Sequence, residues 1–250
     1  MIESDEAGTS QQPVSPEEPL SFLKQVFLIF TDSGRALAEL VARPRWLGAF
    51  VVVLLFSVAS VQATYPLIME ARRDAIQQSQ QVSGEQADIY LERLSRPLTP
   101  AVRVMMVFFQ VIGQAIGLVV IAGVLMFGGN ILLGGESNFV TLLAITAHSW
   151  LVLIPKVILT VPLMLAKGSV AVSTSLQVLL PSDQWTTPLG VVLGAVDVFS
   201  IWMIVLLVMG ISAAYHFSRA KSIALVVSLY VIMILIGMAS SALFSGLMQG

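Results

Sequence analysis

Residues 139–166 read FVTLLAITAHSWLVLIPKVILTVPLMLA. The run exceeds the roughly 20 apolar residues that carry a helix across a bilayer. It nevertheless holds His148, Pro155, Lys156 and Pro162, which a plain anchor does not require. An ionisable group at membrane depth costs roughly 2.5–3.5 kcal/mol on insertion scales, so it faces a protein interior or a wet cavity and takes a partner. Whatever fold this chain adopts must supply one.

Four further apolar runs, 46–67, 102–125, 189–213 and 223–244, surround it. Charged residues make up 11% of the chain and hydrophobic residues 56%. A soluble domain averages about 25% charged, so the expected class is an all-α, polytopic membrane bundle of five spans. With a net charge of −2 there is no basic surplus for nucleic acid. The absence of cysteine excludes disulfides, thiolate nucleophiles and cysteine-based metal sites. Two histidines without a carboxylate cluster give no metal site, and no cofactor is expected. H-E-x-x-H, G-x-S-x-G and Walker-type glycine motifs are all missing, so enzymatic activity is not expected.

The domain order is a tail, an amphipathic segment and a bundle. Residues 1–19 are acidic and polar, the reverse of a cleavable signal, and are expected to be disordered. Over 20–45, Leu23, Val26, Phe27, Phe30, Leu37, Leu40 and Val41 recur at helical spacing. They predict an amphipathic helix at the membrane interface, interrupted around Asp32, which is placed to cap a second short helix. Residues 46–250 then carry the spans. Between the first two lies a polar connection with a capping-box pattern, Ser83 and Gln86, followed by a stripe of Ala87, Tyr90, Leu91 and Leu94. Basic residues divide six against six between the two sides. The arginines Arg43 and Arg45 before the first span favour a cytoplasmic N-terminus.

Small residues mark expected helix-packing faces: Gly113 with Gly117, Gly190 with Gly194, and Gly237 on the last span. Gln110 and Gln114, on the second span, need polar partners. At about 100° per residue, Ser149, Lys156 and Thr160 fall within about 40° of one another on a continuous helix. His148 lies off that stripe. Asp197 shares a face with Gly190 and Gly194, and antiparallel packing brings it within about 3 Å of the depth of Lys156. The expectation is a buried Lys156–Asp197 pair or a shared network. Three roles stay open for the cluster: a structural pair that fixes register, a lining for a polar substrate or lipid headgroup, and a proton relay through His148.

Three stretches resemble a known family: ALAELVARPRWLGAF entering the first span, GGESNFVTLLAITAHSWLVLIP, and DVFSIWMIVLLVMGISAAYHFSRAKS. With five spans behind a cytoplasmic segment, residues 20–244 resemble a bacterial member of the Yip, or Ypt/Rab-interacting protein, family. Asp197, Trp202, Gly210 and Lys221 match positions typical of bacterial relatives. The resemblance implies a multi-pass protein of the inner membrane that organises lipids, membrane-protein partners or copies of itself. Eukaryotic relatives bind prenylated small GTPases; their Asp-Leu-Tyr-Gly-Pro-like motif is missing before the first span here, so that partner is not carried over. The alternative function is a small transporter or channel using His148, Lys156 and Asp197.

Overall fold

The computed structural model describes residues 20–78, 89, 91, 92 and 99–249, without side-chain detail beyond residue 240. The expected tail, the Ser83–Gln86 capping box and most of the stripe that follows it lie outside the described residues.

All named elements are helical. α1 (Phe22–Thr31) and α2 (Ser33–Ala42) precede α3 (Leu47–Gln78). α4 (Pro100–Met126) runs into a π-helical turn, Phe127–Leu132. α5 (Phe139–Ser149) and α6 (Leu153–Lys167) are joined by a 3-10 turn, Trp150–Val152. Two short 3-10 turns, Leu176–Leu179 and Ser182–Gln184, lead to α7 (Pro188–Ala195), α8 (Val198–Tyr215) and α9 (Arg219–Gln249). Five segments of the described chain are long and apolar enough to span a membrane: α3, α4 with its π turn, α5–α6, α8 and α9. The protein is thus an all-α polytopic bundle with a short N-terminal helical pair.

α3 runs well past the expected end of the first span at residue 67, continuing to Gln78 with Pro66 inside it. The larger correction concerns the fourth span. Residues 189–213 do not form one helix. The chain is extended at Val196 and Asp197, which separate α7 from α8. No proline or glycine stands at that break. It is made by tertiary contacts: Ser175 pairs with Asp197 in an isolated antiparallel bridge, and the Leu176 amide donates to the Val196 carbonyl.

α1 and α2 also differ from a helix lying wholly on a surface. Asp32 ends the first helix and caps the second, accepting from the Arg35 amide. Ile29, Ala36, Leu37 and Leu40 are buried in the bundle core, with α2 packed against α8 and α5. The apolar stripe therefore divides between two surroundings. Leu37 and Leu40 point inward, whereas Leu23 and Phe27 remain 79% and 65% exposed on the outer face of α1.

The core gathers at the end of the bundle where α2 docks. It takes in Leu118 and Leu125 of α4, Leu142 and Ile145 of α5, Leu206 and Ile211 of α8, and Val226 of α9. Two close approaches fasten that end. Ile145 fills the space that a side chain at Gly210 would need. Tyr215 stacks on Phe217, lies against Gly129 and donates to Asn130 Oδ1 at 2.6 Å.

Candidate functional site

The Lys156–Asp197 contact forms where two interrupted helices meet. Pro155 cannot donate to the carbonyl of Leu151, and the α-helix gives way to a 3-10 turn at Trp150–Val152. α6 restarts at Leu153 with Pro155 and Lys156 in its first turn. Across from it, Asp197 occupies the N-cap of α8. Its Oδ1 accepts from the amides of Phe199 and Ser200, at 2.9 and 3.2 Å. Oδ2 accepts from the Ser200 hydroxyl and, at 3.0 Å, from Lys156 Nζ. The carboxylate also sits at the positive end of the α8 dipole, where negative charge is favoured. Before the break, the last carbonyl of α7, on Ala195, accepts from the Tyr230 hydroxyl of α9.

The two partners have unequal surroundings. The Asp197 side chain is fully buried, while 32% of the Lys156 side chain is exposed. Lys156 faces a cleft of about 230 Å³ between α3, α4 and α6. Its polar lining is Ser57 and Ser60 of α3, Gln114 of α4, and Lys156 and Thr160 of α6; Phe56, Ile154 and Val157 contribute apolar wall. Gln110 Nε2 donates to Ser57 Oγ at 3.0 Å and ties α4 to α3 beside it. The amide oxygen of Gln114 is shielded from solvent and has no hydrogen-bond partner among the described residues.

Residues 27–241 match the Yip1 domain. The chain belongs to the Yip1 family. The matched range begins inside α1 and ends inside α9, so the Yip1 domain includes most of the docked helical pair as well as the spans. No curated protein and no solved structure matches the chain.

Within this Yip1 domain the structure pairs Lys156 with Asp197, sets Thr160 beside Lys156 in the cleft lining and leaves two expected companions elsewhere. Ser149 is buried before the 3-10 turn and donates to the Ile145 carbonyl at 2.9 Å. The turn removes the helical continuity on which the Ser149–Lys156–Thr160 stripe depends. His148 is also fully buried, and its Nδ1 donates to the Ala144 carbonyl at 2.9 Å. Its Nε2 has no partner among the described residues, and the residue is not part of the cleft lining.

The glycines divide in the same way. Gly190 and Gly194 face the preceding loop rather than a neighbouring span. Side chains there would meet the backbone of Gln184 and Trp185, and the amide of Gln177. That amide holds the loop by donating to the carbonyls of Trp185 and Gly190. Gly237 approaches Val191 of α7, Gly117 makes an ordinary contact with Trp150, and Gly113 has open space beside it. Asp197 is not a mid-helix residue on their face, because the chain is extended there. Sequence reasoning missed Ser57, Ser60, Ser175 and Ser200. Gln110 and Gln114, which needed partners, were the one available signal for the α3 hydroxyls.

Proposed function

We propose that this Yip1-domain protein is a non-enzymatic organiser of membrane lipids or membrane-protein partners, with its N-terminus on the cytoplasmic side of a bacterial inner membrane. The observation that carries the reading is the cleft between α3, α4 and α6, where a partly exposed Lys156 lies beside a fully buried Asp197. A cation at span depth faces a partner or a wet cavity; Asp197 takes one side of Lys156, and a lipid or membrane-protein partner would take the cleft side. The test is native mass spectrometry of the full chain released from mild detergent. Retained phospholipid, a second copy or a co-purifying membrane protein is the expected result. A bare monomer in every detergent contradicts the reading.

Transport is the second reading, favoured by the two interrupted helices. Breaks of this kind at span depth are tolerated where backbone lines a cavity. In proteoliposomes, Asp197→Asn would then strongly reduce flux of the carried species, and unchanged flux would remove Asp197 from the path.

A further inference from the structure

We propose that the cleft binds a phosphate ester that also carries a hydrogen-bond donor, as a phospholipid headgroup does; this deepens the lipid-organising reading and rests on it. The donors come first. Among the described residues Lys156 makes one side-chain hydrogen bond, to Asp197. An ammonium has three N–H groups. Asp197 is already held by two amides and the Ser200 hydroxyl. The rest of the Lys156 hydrogen-bonding capacity therefore falls on the cleft side, which an anionic oxygen satisfies best.

The acceptor side narrows the class. Gln114 lines the same cleft with a shielded amide oxygen that has no partner among the described residues. An orphaned buried acceptor carries its full desolvation penalty, and a bare anion cannot relieve it. A hydroxyl or ammonium on the ligand can. At about 230 Å³ the space is below the roughly 300–1,000 Å³ of sites for drug-sized molecules. It fits a headgroup rather than a larger polar solute.

The approach to the cleft carries the same chemistry. Arg103, Gln110 and Gln114 stand seven and four residues apart on α4, and Lys156, Thr160 and Lys167 four and seven apart on α6. At about 100° per residue each trio keeps within about 40° of one helix face. Arg103 and Lys167 are exposed, at the end of the bundle where α4 begins and α6 ends, about 16 Å along their helices from Gln114 and Lys156. The geometry points to a lane with cations at its mouth and its base and with Val107 and Leu163 between them on the same faces. Such a lane draws a phosphate inward from one leaflet.

Full-length protein in nanodiscs is the test system, as wild type, Lys156→Gln and Gln114→Leu. Bound phospholipid is read by native mass spectrometry, and glycerol 3-phosphate binding by calorimetry. Circular dichroism establishes that all three are folded. Lys156→Gln keeps Asp197 satisfied by its other three donors, and Gln114→Leu leaves the ion pair untouched. Each variant is expected to weaken retention about tenfold. Loss on the lipid arm identifies a headgroup as the ligand; loss confined to glycerol 3-phosphate identifies a soluble ester of the same chemistry. Equal lipid retention together with equal glycerol 3-phosphate binding by all three proteins overturns the assignment of the cleft while leaving lipid organisation standing. No retention of either probe overturns the assignment as well, and a bare monomer without partners would remove the broader reading with it.

Discussion

Asp197 accepts four hydrogen bonds, only one of them from Lys156. The two halves of the ion pair are therefore not equivalent. Asp197→Ala strands a cation at span depth and removes the cap of α8; breaking a buried pair from one side costs about 3–5 kcal/mol, and a lost cap about 1 kcal/mol. Lys156→Met leaves a carboxylate with three donors and is expected to cost less. The double change should be milder than Asp197→Ala alone, because no charge remains unpaired. Denaturant unfolding in detergent measures all three. A Lys156→Met loss equal to that of Asp197→Ala would contradict the asymmetry.

Among the elements, the break between α7 and α8 governs which glycines matter. A methyl at Gly190 meets backbone of the preceding loop, which cannot rotate away; overpacking costs about 1–3 kcal/mol. Gly113 has open space, so Gly113→Ala should be neutral or gain up to about 1 kcal/mol of helix propensity. Thermal unfolding of the two variants gives the order directly. The docked N-terminal helix makes a separate prediction. Leu40 of α2 is completely buried, so Leu40→Ala should cost about 2–5 kcal/mol in the same measurement. A helix resting on lipid alone would lose far less. These positions also show what was legible. Five spans follow from apolar run length, and the Lys156–Asp197 contact from depth matching. The break at Val196 had one local signal, Asp197 as a favoured N-cap residue, and its other support, the bridge to Ser175, joins stretches distant in the chain and was not legible. The cleft was not legible either, because Ser57 and Gln114 become neighbours only once three helices are assembled.

For the whole molecule, the five spans of the described chain, crossed in turn, place the N-terminal helical pair and the far end of α9 on opposite sides of the membrane. The sequence has no cysteine, so single substitutions report accessibility without interference. Lys24→Cys and Ala220→Cys are expected to react with an impermeant maleimide from one side, and Lys167→Cys from the other. All three positions are exposed. Labelling of all three from the same side would contradict the five-span arrangement.

The unequal distribution of buried residues has a further consequence. From Thr141 to Ser149 every residue of α5 is buried, whereas α6, past the 3-10 turn, buries only Thr160. α7 buries only Gly190. Opening free energy follows buried contact, so α5 should be held more firmly than α6 and α7, with the Lys156–Asp197 contact at the boundary. Amides of α5 and of the Leu206–Tyr215 half of α8 should exchange with deuterium far more slowly than those of α6 and α7. Widening of the cleft is then a matter of α6 moving against α3 and α4, the helices that line it with α6, while the buried half of the third span, α5, serves as the fixed part.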